Sequence, residues 1–118
     1  ASIVTGSVAP LTLWVVPALL GQPFLRLYLL AEHVLCPLVP DMLANTRTTY
    51  TNAVVRFLAW NMPFHAEHHA WPAVPFHRLP EANALIRDRL QVTAPGYLAV
   101  QADLLRSFRR REAAPDPA

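Results

Sequence analysis

Residues 1–31 form a hydrophobic segment, ASIVTGSVAPLTLWVVPALLGQPFLRLYLLA, in which Arg26 is the single charged side chain. About 20 apolar residues are enough to cross the hydrocarbon core of a bilayer, and a longer segment can cross with tilt. Pro10, Pro17 and Pro23 interrupt the hydrogen bonding of a helix, and in a membrane neighbouring helices and water satisfy the freed carbonyls. The segment therefore predicts one kinked transmembrane helix. A buried helical hairpin in a soluble protein is the alternative.

The composition and the charge pattern agree with a membrane protein. Of the 118 residues, 53% are hydrophobic and 15% are charged. All ten basic residues are arginines, and nine of them lie from Arg47 onward. Arginines collect on the cytoplasmic side of membrane proteins, so we expect the C-terminal part in the cytoplasm and the protein in a bacterial inner membrane. The sequence pI is about 9.2, but no basic groove with interleaved aromatic residues is present, and we expect no nucleic-acid partner.

The remainder of the chain predicts one loop and several cytoplasmic helices close to the membrane. Residues 32–50 contain Pro37, Pro40 and Asp41, which are typical of turns, and we expect a loop that begins with Glu32 and His33 at the membrane surface. Residues 51–112 predict a helical part, interrupted by an extended strap at residues 71–76. We expect residues 113–118 to be disordered. The predicted fold class is therefore all-α: an integral-membrane helical fragment.

A second stretch, NMPFHAEHHAWP at residues 61–72, contains three of the five histidines. In a helix, residues three and four positions apart share one face, so His65, His68 and His69 would point the same way. Imidazole nitrogens suit iron, zinc, copper and nickel. The spacing differs from the HExxH and HxxEH patterns of zinc peptidases. It predicts three ligands of a metal site, and a hydrogen-bonded histidine cluster is the alternative.

Three other polar residues lie near these histidines. Metal-ligating histidines usually need a partner that orients the ring. Asn61 is a candidate for this role, although it could instead cap a helix. Glu67 is also a candidate, and solvent exposure is its alternative. His77 is separated from the cluster by two prolines and is not expected to be a ligand.

Residues 61–69 together with 72–80 resemble the third histidine box of the integral-membrane fatty acid desaturase family. Residues 31–33 and 41–49 resemble the conserved segments that precede this box. The resemblance implies two non-haem iron ions held by histidines from three boxes, HxxxH, HxxHH and HxxHH, and by one further histidine. Here it assigns His65, His68 and His69 to the third box and His33 to the additional ligand.

The same resemblance implies O2-dependent introduction of a double bond into an acyl chain. Its expected partners are a membrane lipid or acyl substrate and an electron donor such as a ferredoxin or a cytochrome b5-type domain. The sequence contains no separate HxxxH box and no second HxxHH box. We therefore expect the chain to be the C-terminal portion of such an enzyme and to be inactive by itself.

Two further functions are consistent with these residues. A di-iron hydroxylase or ketolase acting on lipids, alkanes or carotenoids would use the same ligands. A membrane protein that binds a metal without catalysis would need only the histidine cluster. The sequence does not identify residues that bind a substrate.

Overall fold

The computed structural model describes residues 6–112, and helices make up most of this part, as the sequence predicted. Backbone contacts divide the chain into two compact units, Ala1–Leu30 and Ala31–Ala118. The first five residues of the predicted membrane segment lie outside the described residues. The predicted disorder of residues 113–118 also lies outside them.

The N-terminal helix begins with a π-helical turn at Leu11–Val15 and continues as helix α1, Val16–His33. The N–H of Val16 donates to the carbonyl of Leu11, five residues earlier, immediately before Pro17. Proline has no N–H to donate, so Pro17 interrupts the regular hydrogen bonding of the helix. The turn before it has the wider hydrogen-bond spacing of a π-helix. The continuous helix Leu11–His33 is long and apolar enough to cross a membrane by length and composition.

Helix α1 extends to His33, and this differs from the loop expected for residues 32–50. Glu32 is 1% exposed, so it does not emerge at a surface as predicted. The helix ends where Leu35 adopts a positive φ of 60°, which is uncommon for a residue other than glycine. A second short helix, α2, spans Met42–Asn45, and the side chain of Asp41 caps it by accepting from the N–H of Leu43 at 2.9 Å. Asp41, which the sequence assigned to a turn, is therefore the cap of a short helix.

A small parallel sheet joins two distant parts of the chain. Strand β1, Thr48–Thr49, pairs with strand β2, Thr93–Ala94, in the register Thr48 to Thr93 and Thr49 to Ala94. Thr48 also forms an antiparallel bridge with Phe64. The sequence did not predict these strands, because two residues are too few to show an alternating pattern.

The other helices are short except for the last. Asn52 caps helix α3, Ala53–Leu58, by accepting from the N–H of Val55 at 2.9 Å. The remaining elements are helix α4, His65–Ala70, a 3-10 turn at Phe76–Arg78, helix α5, Leu79–Ile86, a 3-10 turn at Arg87–Arg89, and helix α6, Tyr97–Glu112. The predicted strap at residues 71–76 is partly a turn, in which the N–H of Val74 donates to the carbonyl of Trp71.

A buried carboxylate connects three of these elements. Glu67 of α4 is 0% exposed. Its Oε2 accepts from the hydroxyl of Thr48 in β1 at 2.5 Å, and its Oε1 accepts from the amide of Asn83 in α5 at 2.5 Å. Buried charged groups are tolerated where hydrogen bonds replace their hydration. Glu67 is therefore an anchor of helix α4.

Replacing Asn83 with alanine should leave the Oε1 atom of Glu67 buried without this donor. We expect the free energy of unfolding to fall by about 1–3 kcal/mol. The control is Glu81→Ala, which removes a side chain that is 66% exposed and is paired with Arg78; exposed pairs contribute about 0–1 kcal/mol. Denaturant unfolding of the purified protein, followed by circular dichroism, measures both changes. Equal stabilities of the two variants would contradict the anchoring role of Glu67.

Candidate metal centre

His33 is the last residue of α1, and a buried arginine holds the end of that helix. The guanidinium of Arg47 donates to the carbonyls of Ala31 and Val34, the second at 2.8 Å. The backbone N–H of Arg47 donates to the carbonyl of Glu32 at 2.9 Å. The final carbonyls of a helix have no partner within the helix. Arg47 supplies partners on both sides of His33 and so fixes its backbone.

His65 is the first residue of α4, and a tight turn delivers the chain to it. Trp60 and Asn61 both have positive φ angles, 54° and 55°. Asparagine accepts this conformation more readily than most residues. The carbonyl of Asn61 accepts from the N–H of Phe64 at 3.0 Å, immediately before the helix. The structure thus gives Asn61 a role in the turn, while the side-chain role predicted for it stays a prediction.

Three histidine side chains converge where these two segments meet. The Nε2 atom of His65 lies 2.9 Å from Nε2 of His33 and 2.9 Å from Nε2 of His69. Ligand atoms of the three residues all lie within 4.8 Å of one another. His65 is 8% exposed, and His33 lies at the surface.

Hydrogen bonding alone does not account for this convergence. The Nε2 atom of an imidazole carries either one proton or one lone pair, in the plane of the ring. The Nε2 atom of His65 can therefore satisfy one neighbour well, yet it has two at 2.9 Å. A cation would accept the lone pairs of all three nitrogens at once. The donor set fits a borderline transition-metal ion.

The protonation state of the cluster also favours a cation. The pKa of His65 is lowered from its ordinary value of 6.5 to about 3, first by burial and then by the neighbouring His69, His33 and His68. Burial is also the main cause that lowers the pKa of His69, followed by His33 and His68. A neutral imidazole has a free lone pair, which is the form that binds metals.

The structure brings together three of the four predicted ligands. The ring centroid of His68 is 6.1 Å from that of His65 and 5.7 Å from that of His69, but within residues 6–112 the group of converging ligand atoms does not include His68. His77 stacks edge-on against Phe76 at 5.5 Å. The spacing of the histidines indicated the helix that His65 and His69 share, the family resemblance assigned His33, and the structure places these three residues together.

Two acidic residues differ from their predicted surroundings. Glu67 is fully buried and bonded to Thr48 and Asn83, so the solvent-exposed alternative is wrong. Glu32 was not predicted near the cluster, but its Oε2 lies 3.6 Å from the Nε2 of His65. The signal that could have identified Glu32 is its position next to His33 at the end of a hydrophobic span, where carboxylates are rare and usually functional.

An open, largely apolar cleft of about 590 Å³ lies beside His33 and His69. Its other lining residues come from the segment between α1 and β1; they are Leu38, Val39, Pro40, Met42, Asn45 and Thr46. Apolar walls with a few polar groups are typical of binding sites for small molecules. The cleft therefore places an apolar surface next to His33 and His69.

Comparison with known proteins identifies the family. Residues 1–100 match the model of the family described as fatty acid desaturase, and the chain belongs to this family. No curated protein and no solved structure matches the chain. Membership supports an oxidoreductase of lipid metabolism, and the family generally uses iron. Together with the long apolar helix, it also supports association with a membrane.

Replacing His65 with alanine should nearly abolish binding of a divalent cation, because His65 supplies the nitrogen nearest to both of the others. We expect a loss of Co2+ affinity greater than the about 10- to 100-fold typical of outer-shell changes. His77→Ala, the matched control, should bind as wild type does. Titration of the purified protein with Co2+, followed by absorption spectroscopy, compares the variants. Unchanged affinity in His65→Ala would show that the convergent nitrogens do not form a metal site.

Proposed function

We propose that the chain is the C-terminal part of a membrane di-iron fatty acid desaturase, which uses O2 to introduce a double bond into an acyl chain. The observation that carries the proposal is the convergence of His33, His65 and His69 beside an apolar cleft. It occurs in a chain of the fatty acid desaturase family.

His33, His65 and His69 would hold one iron ion, and His68 would contribute to the second. When bound, the iron supplies the oxidising chemistry needed to remove hydrogen from an unactivated alkyl carbon, which no protein side chain can perform alone. Four histidines are too few to hold two ions by the pattern of three boxes. The remaining ligands would come from polypeptide outside these 118 residues, so these residues alone would be inactive.

Individual side chains of these 118 residues would contact the substrate, hold the ligands in place and keep them unprotonated in such a reaction. The apolar side chains of Leu38, Val39 and Met42, which line the cleft, would contact the alkyl part of the substrate. Arg47 would keep His33 in place through the carbonyls of α1. The pKa of His65, lowered to about 3, would keep this ligand unprotonated, and the pKa of His69 is shifted in the same direction.

The electron donor would bind on the cytoplasmic side. Helix α6 carries Arg106, Arg109 and Arg110, and an acidic donor such as a ferredoxin or a cytochrome b5-type domain has the complementary charge. The concentration of arginines after the membrane segment supports a cytoplasmic C-terminal part, and we extend this to a bacterial inner membrane.

Expression of the complete open reading frame in a host that lacks the corresponding desaturase tests the proposal. We expect purified enzyme to contain two iron ions, and lipids to contain a fatty acid that has lost two hydrogen atoms. His69→Ala should abolish the product, since it removes a ligand, and His77→Ala should retain it. Mass spectrometry of the fatty acids and metal analysis provide the measurements.

Each other outcome identifies a different function. A product that has gained an oxygen atom would identify a hydroxylase or ketolase with the same metal ligands. Bound metal without any lipid product would favour a non-catalytic metal-binding protein. Activity that survives His69→Ala would contradict the proposed site.

A further inference from the structure

Helix α3 presents its apolar side chains to the surface. Phe57 and Leu58 lie one helical turn after Val54, so the three side chains share one face of the helix. Together with Trp60, which follows the helix, they are 65–80% exposed. Single exposed apolar residues are common on proteins, but a group of large ones marks an interaction surface.

Phe76, from the 3-10 turn after α4, adds a second aromatic ring to this surface. Its ring centroid lies 5.2 Å from that of Trp60. A groove of about 340 Å³ lies beside the two rings, and its lining residues are Arg56, Phe57, Leu58, Trp60, Asn61 and Phe76. We define the apolar patch as Val54, Phe57, Leu58, Trp60 and Phe76.

The charge around the apolar patch is positive. Residues 48–66, which include α3 and Trp60, contain Arg56 and no carboxylate, and residues 68–80, which include Phe76, contain Arg78 and no carboxylate. The ion pairs found among residues 6–112 involve side chains other than Arg56. An arginine beside an apolar surface can lay its stem on that surface and donate from its guanidinium to a phosphate.

The rest of the chain brings lipid close to the apolar patch. The helix Leu11–His33 is long and apolar enough to cross a membrane, and the family supports association with one. A span of this kind tethers the residues that follow it, so lipid is present at high effective concentration. Tryptophan is enriched at the membrane–water interface, where one part of the ring is apolar and the N–H reaches water. A bilayer surface with anionic lipids therefore matches both the side chains and the charge.

We propose that the apolar patch inserts into the surface of a bilayer that contains anionic lipids, with the Arg56 guanidinium on a lipid phosphate. The carbonyl of Arg56 accepts from the N–H of Asn61 at 2.8 Å. The helix that carries the patch is thus bonded to the turn that precedes His65, and lipid contact would orient this part of the chain against the membrane. The inference goes beyond the proposed function and depends on neither the metal ions nor the reaction.

Photo-crosslinking in the complete protein identifies what covers the patch. A photoreactive benzophenone amino acid is inserted at Phe57, at Leu58 as a second patch position, or at Leu85. Leu85 is the matched control, because it is 85% exposed but lies between Glu81 and Asp88 in the sequence. After irradiation in vesicles of phosphatidylcholine and phosphatidylglycerol, mass spectrometry should find at least about tenfold more lipid adducts at the patch positions than at Leu85, since burial of one large apolar side chain favours the contact by this factor.

The identity of the lipid in the adducts tests Arg56. In vesicles with equal amounts of the two lipids, adducts at position 57 should contain about fivefold more of the anionic phosphatidylglycerol, because an arginine at the surface favours anionic lipid by about this factor. Arg56→Gln should bring the ratio close to one. Arg89→Gln, which removes an exposed arginine outside the patch, should leave the ratio unchanged.

The outcomes distinguish lipid from the other occupants. Crosslinks from both patch positions to a distant segment of the same protein, to a second copy or to another protein would overturn the proposal. Lipid adducts that are absent from the patch positions, or equally frequent at Leu85, would overturn it too. A lipid ratio that does not change in Arg56→Gln would overturn the role of Arg56. Loss of iron or of the fatty acid product would contradict only the proposed function.

Discussion

The arrangement of the site depends on the burial of one carboxylate, that of Glu67. A charged group without access to water must obtain hydrogen bonds from the protein, and only particular positions of the surrounding elements provide them. Thr48 and Asn83 donate from two different elements. Glu67 lies between His65 and His68 on α4. The rotation of α4 about its axis that brings Glu67 to its two hydrogen-bond donors therefore also sets the direction of the histidine side chains. The polar core thereby orients the metal ligands.

The second anchor is Arg47, which acts on the other half of the site. Its bonds to Ala31 and Val34 hold the final turn of α1, which carries His33. The two halves are joined through β1, because Arg47 immediately precedes Thr48. A short stretch of chain therefore contacts both the helix end that carries His33 and the carboxylate that orients His65. Support of this kind by neighbouring residues keeps metal-ligating side chains close to the geometry that binding requires.

The sequence predicted the features that arise from local spacing. The apolar segment indicated the long helix, and the positions of His65 and His69 one turn apart indicated their shared face. The neighbourhood of Glu32 and the burial of Glu67 were not predicted, since each depends on residues that are distant in the sequence. The two strands were not predicted, because a strand of two residues is too short to show an alternating pattern of apolar and polar side chains. The family resemblance identified His33 as a metal ligand. Its distance from His65 along the sequence does not by itself predict that the two side chains are in contact.

The pairing of Thr48 with Thr93 has a consequence for the order of folding. All of α3, α4 and α5 lie in the chain between these two residues, so the parallel sheet closes one long loop that contains His65 and His69. Contacts between residues far apart in sequence form slowly, because the entropy of closing the loop opposes them. During synthesis, the strand that supports Glu67 has no parallel partner until Thr93 has left the ribosome. Complete support of the histidine cluster consequently needs Thr93 as well as the segments that carry His33, His65 and His69.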